Sequence, residues 1–212
     1  ALLLFGATLA LYAPSANFPF VEYDDGEYVR ANPHLAGGLS LECLRWALTS
    51  TTYQYNWHPL TWLSHGLDVQ LFGFDAGRHH LVNAFLHALN AALLFVALRA
   101  LSGRLGPSAC AAALFALHPL RVESVAWIAQ RKDLLAGTFF LLTLIAHVRQ
   151  VRAPSPGGHP RVALALAAGL ACKPTLVTLP CLLLVLDVWP LGRLRAATAA
   201  GLARASKGAA AS

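Results

Sequence analysis

The amino-acid sequence predicts an all-α fold: a polytopic membrane helix bundle with an extracytoplasmic loop and an interfacial amphipathic helix. Composition is the first reason, because 57% of the 212 residues are hydrophobic and only 12% are charged, about half the charged share of a soluble domain. The mean hydropathy of +0.54 agrees. Length is the second reason, since several apolar runs approach the roughly 18 residues needed to cross a hydrocarbon core of about 30 Å. Lipid offers no partners to free backbone groups, so such runs close their own hydrogen bonds as helices. The third reason is the placement of charge. The formal net charge is +6, yet the basic residues lie between apolar runs and form no long basic stretch, which argues against a nucleic-acid partner.

The chain opens on "ALLLFGATLALY", about half a span, which reads as the tail of a first helix cut inside a longer parent and is broken by "APSANFPF". Residues 14–80 form a polar extracytoplasmic region whose tryptophans and tyrosines suit the headgroup zone. Within it a helix starts near Pro59. Leu60, Leu63, Leu67 and Leu71 share one face and Thr61, His65 and Asp68 the other, the pattern of an interfacial helix with a wet side on which His65 and Asp68 can touch. His79 and His80 read as interfacial anchors ahead of the span at 81–101. A third helix begins at "SACAAALFALHPL", where Pro119 ends or kinks it. A fourth covers 133–148. The apolar stretch 162–189 is interrupted by "CKPT", and a break at membrane depth hints at a functional interior; whether it is one broken helix or two stays open. Residues 1–195 form one membrane domain, and 196–212 are a cytoplasmic loop or the start of a further region.

The positive-inside rule orients these helices. Arg99, Arg104, Arg149, Arg152, Arg161 and Arg193 mark cytoplasmic connections, which puts residues 14–80 and 118–132 together on the opposite face. Four of the ten acidic residues fall in "EYDDGEYV", residues 22–29. The same face carries His58, His65, His118, Glu123, Arg131 and Lys132. Arg131 and Lys132 run against the positive-inside bias there, which suggests an anionic ligand. Acids, a basic pair and a membrane suit sugar transfer from a lipid phosphate to a hydroxyl: a carboxylate deprotonates the acceptor, and cations stabilise the leaving phosphate. A neighbouring carboxylate raises the pKa of one member of the "DD" pair. Two other readings are a transporter or channel, which places ionisable groups near the midplane of its spans, and a membrane anchor or scaffold. The cysteines show no CxxC spacing, so neither a zinc site nor a disulfide framework is expected.

The stretches "FVEYDDGEYVRANPH", "NWHPLTWLSHGLDVQLFG", "GRHHLVNAFLHALN", "LFALHPLRVESVAWIAQRKDLLA" and "ACKPTLVTLPCLLLVLDVWPLGR" resemble, in order, the membrane domain of the transmembrane and tetratricopeptide-repeat-containing O-mannosyltransferases and their bacterial relatives. The resemblance implies a GT-C type glycosyltransferase with a polyprenyl- or dolichyl-phosphate sugar donor, a protein Ser/Thr or glycan acceptor, and a tetratricopeptide-mediated partner in the longer parent. It further implies a multi-pass protein of a bacterial inner membrane with its site facing the periplasm. By that resemblance Asp24 is the base or its closest partner, Asp25 orients donor or acceptor, and Glu27 is a weaker candidate. Arg131 and Lys132 hold the donor phosphate, and His58, His65, His118 and Glu123 line the site. No cofactor or metal is expected, although two aspartates with nearby histidines are competent divalent-metal ligands. The chain departs from the pattern at Gln130, where an acid is expected.

Overall fold

The computed structural model of the chain describes residues 1–51, 53 and 56–193. The expectation for residues 196–212 lies outside them. Among the described residues the regular structure is entirely helical. α1 (Leu2–Tyr12) leads through a polar loop to α2 (Leu41–Thr49), whose first turn is capped by Ser40 accepting the Cys43 N–H at 3.0 Å. α3 (Pro59–Phe72) begins on its proline, where the missing N–H costs nothing. α4 (Ala76–Ser102) is capped by Asp75, which accepts the Arg78 N–H at 3.1 Å. It stops at Gly103, whose φ of 70° favours glycine.

Among the described residues two helices are long and apolar enough to cross a membrane, Ala76–Ser102 and Ile128–Arg152. A third is bent: α5 (Leu105–Leu117) turns by 57° at Pro119 into a segment ending in α6 (Val122–Ala126), as the proline requires. α7 (Arg131–Arg152) follows. α4 and α7 run parallel, because their contacts advance together along both chains. Asn83 Nδ2 donates to Trp127 O at 3.2 Å, Asn90 Nδ2 to Leu134 O at 2.8 Å, and Arg152 reaches Leu101 O at 3.2 Å. Buried alanines at 84, 88, 91 and 97 allow close approach, and the buried amides act as glue where apolar packing against lipid discriminates little.

The interrupted stretch 162–189 resolves into a hairpin of two short helices, α8 (Gly158–Leu170) and α9 (Leu179–Val188). Lys173 at its tip pairs with Asp133 near the start of α7, and Asp187 near its end accepts from His147 at 2.9 Å. The hairpin therefore rises and descends beside α7. The tip is built into α3: Leu60 N–H donates to Ala171 O and Thr61 Oγ1 to Cys172 O, both at 3.1 Å.

Two sequence expectations are corrected here. The polar face of α3 is not its wet side: Thr61, His65 and Asp68 are buried, while Leu67 and Leu71 are exposed. The ionisable face of α3 turns into the protein, where Asp68 pairs with the buried Arg131. Likewise His79 and His80 are fully buried rather than interfacial. His79 Nε2 bonds Gly73 O at 3.0 Å, and His80 Nε2 bonds Pro19 O at 3.1 Å.

Candidate active site

The acidic turn sits at the start of α7. Asp25 is completely buried, and both its oxygens are spent on backbone donors: Oδ2 accepts Val21 N–H at 2.9 Å and Oδ1 accepts Ala129 N–H at 2.8 Å. It clips the loop onto the turn that precedes Arg131. Burial, not the neighbouring carboxylate, pushes its carboxyl above the ordinary range, opposed by those two N–H donors. Asp24 is half-buried; its carbonyl accepts Tyr28 N–H at 2.8 Å, while its carboxylate makes no hydrogen bond or ion pair among the described residues, so that carboxylate is the member of the pair open to a ligand. Glu27 is exposed, and its carbonyl accepts the Tyr53 hydroxyl at 2.9 Å.

The basic pair divides as well. Arg131 is fully buried, and its guanidinium ties three helices together: Nε donates to Asn83 Oδ1 at 2.8 Å, Nη2 to His79 O at 2.9 Å, and Nη1 pairs with Asp68 beside Ser64. The same Asp68 oxygen, Oδ2, also faces His79 Nδ1 at 3.3 Å. Every nitrogen of Arg131 has a partner inside the protein. Lys132 is half-buried and lies over the Tyr28 ring, 4.4 Å from its centroid, with Nζ 3.4 Å from the phenol oxygen. The charges of Asp24, Asp133, Lys173 and Asp25 act on its ammonium.

Around Lys132 stands a wall of aromatic rings. Trp62 contacts Tyr28, Trp46 and Tyr53 at ring centroids of 4.7, 5.3 and 5.5 Å, and His58 packs on the same indole. The Tyr28 phenol is pushed up to about 12 by burial first and by Asp24 second. His58 is buried with Nδ1 unpartnered, and its imidazole is pushed down to about 4 by burial and by the charges of Lys132 and Lys173. His65 is fully buried with neither ring nitrogen partnered; burial and Arg131 push it well below the ordinary range. It makes no bond to Asp68, whose Oδ2 instead faces Arg131 and His79.

The structure thus gathers Asp24, His58 and Lys132 with Tyr28, Asp133 and Lys173, and holds them on the Asp25 clip and the Arg131–Asp68 hub. His118 and Glu123 are exposed on the bent segment; His118 Nδ1 accepts Leu120 N–H at 3.2 Å, and neither bonds to the group just named. Tyr28, Asp133 and Lys173 were not singled out as site residues from the sequence. The only local signal for Lys173 was the "CKPT" interruption. No group of three metal-ligating side chains gathers among the described residues. The arrangement offers a carboxylate, a neutral imidazole and two lysines at one end of the bundle, a set suited to a hydroxyl acceptor and a phosphorylated donor.

Known proteins resemble the chain. Protein O-mannosyl-transferase Tmtc2 of Drosophila melanogaster is 36% identical over 191 residues, covering 82% of this chain and 20% of that protein. Mouse TMTC1 is 33% identical over 162 residues, covering 71% of the chain and 17% of the relative. Human TMTC4 is 30% identical over 212 residues, covering 87% of the chain and 28% of the relative. The chain therefore spans less than a third of the length of each of these relatives. No family model matches it. No solved structure matches it either.

Proposed function

The chain belongs among the homologues of the TMTC-family protein O-mannosyl-transferases, and from that kinship we propose that the full-length protein is a membrane glycosyltransferase moving a mannose-like sugar from a polyprenyl- or dolichyl-phosphate donor to a Ser/Thr hydroxyl of a protein. The observation that carries the reading is the meeting of Asp24 with Lys132 and Lys173 at one end of the helix bundle. Asp24 takes the proton of the acceptor hydroxyl, whose oxygen attacks the anomeric carbon as the bond from that carbon to the phosphate oxygen breaks. The electron pair leaves on the lipid phosphate, where Lys132, assisted by Lys173, stabilises the growing charge. Tyr28 and Asp133 hold the two ammonium groups in place. Neutral His58 is a hydrogen-bonding group for sugar or phosphate. Arg131 and Asp25 serve as positioning residues. Reaction takes place at the extracytoplasmic face, which in a bacterium is the periplasmic side of the inner membrane, and the remainder of the protein selects the acceptor.

The test uses the full-length protein in membranes supplied with polyprenyl-phosphate mannose carrying tritium. The expected product is label bound to protein and released by alkaline β-elimination. Label transferred from none of the polyprenyl- or dolichyl-phosphate sugars would sink the proposal.

A further inference from the structure

At the end of the bundle opposite the acidic turn, a cavity of about 430 Å³ opens between α7, the 153–157 connection and α8. Its walls change character along its length. Leu142, Ile145, Ala146 and Ala165 form the part nearer the middle of the helices, while Arg149, Gln150, Ser155 and Arg161 form the mouth. Gln150 is occupied, with Oε1 accepting Ser155 N–H at 3.0 Å and Nε2 against His159 at 3.2 Å. The two arginines differ from it. Both are exposed, and neither guanidinium enters an ion pair or hydrogen bond among the described residues, whereas Arg152 and Arg193 nearby are engaged by Leu101 O and Asp187. α8 also starts at the mouth on Gly157, which gives no side-chain cap to the first-turn N–H groups, so the backbone there adds positive potential.

We propose that this cavity is a binding site for one anionic phospholipid of the arginine-rich leaflet, with the phosphodiester between Arg149 and Arg161 and the start of an acyl chain along Leu142, Ile145 and Ala165. Charge complementarity selects this occupant. The two uncommitted guanidiniums stand at the headgroup depth of a transmembrane helix end, and the wall beneath them is apolar, which matches the division of a phospholipid into anionic head and hydrocarbon tail. Basic pockets between transmembrane helices on such a face bind anionic headgroups. A bound lipid would also bridge α7 to the hairpin that carries Lys173.

Native mass spectrometry of the detergent-purified full-length protein tests this with palmitoyl-oleoyl phosphatidylglycerol, the phosphatidylcholine of the same chains, and inorganic phosphate. The expected result is a single phosphatidylglycerol adduct, preferred over phosphatidylcholine. The Arg149→Gln/Arg161→Gln variant weakens that adduct about 30-fold, the product of two headgroup charges, and Arg99→Gln/Arg104→Gln at the same face leaves it. Ala165→Leu fills the apolar wall without touching charge and also weakens the adduct, so the proposal stays testable if the arginine variant folds poorly. Equal binding of phosphatidylcholine overturns it, as do tight binding of phosphate alone, equal losses in the two arginine pairs, or an adduct that survives Ala165→Leu and the loss of both cavity arginines.

Discussion

The two adjacent aspartates have the same chemistry and opposite duties. Asp25 has no free oxygen and no exposure, so Asp25→Asn strands a backbone N–H and should lower stability by about 1–3 kcal/mol, read as a lower thermal unfolding midpoint. The pair was legible in the sequence, but its division was not, since one Asp25 partner is Ala129, 104 residues away. Arg131 and Lys132 divide in the same way for the same reason. His58 supplies a pH dependence. Its folded pKa of about 4 lies below the ordinary 6.5, so between these values the unfolded chain binds more protons and stability rises with rising pH. The contribution is complete above pH 6.5 and lost as pH drops toward 4. The unfolding midpoint should therefore drop over that window in the wild type and drop less in His58→Gln.

At the scale of elements, the site depends on two joints that hydrophobic periodicity reports only in part. Periodicity located α4, α7 and the amphipathic α3, but α3 presents its polar face to the protein, where Asp68 pairs with Arg131, and exposes Leu67 and Leu71. The "CKPT" break was visible as an interruption; that it is a hairpin tip reaching Asp133 needed contacts across forty residues. The first joint is the Asp68–Arg131 pair. Asp68→Asn leaves a buried guanidinium poorly compensated, and removal of one partner costs about 3–5 kcal/mol; a midpoint unchanged from wild type would refute the hub. The second joint is the hairpin, where a Cβ on Gly169 would stand 2.3 Å from Leu176 Cδ2 and 3.1 Å from Phe139 Cβ. Gly169→Ala should destabilise by about 1–3 kcal/mol through overpacking, and adding Leu176→Ala should recover part of that loss.

Over the whole molecule, charge is sorted to the two ends of an apolar bundle. One end concentrates Asp24, Lys132 and Lys173 around aromatic rings; the other carries Arg149, Arg152 and Arg161, and α4 and α7 run in parallel between them. The proposed sugar transfer is assigned to the first end and the proposed lipid site to the second. The measurement that tests this division most directly is sugar transfer by the full-length Asp24→Asn variant, purified and matched to wild type in unfolding midpoint. Loss of general-base help should lower transfer by about 10²- to 10⁴-fold while the donor lipid still binds. A folded Asp24→Asn protein that transfers sugar at the wild-type rate would contradict the assignment of the acidic turn as the catalytic centre.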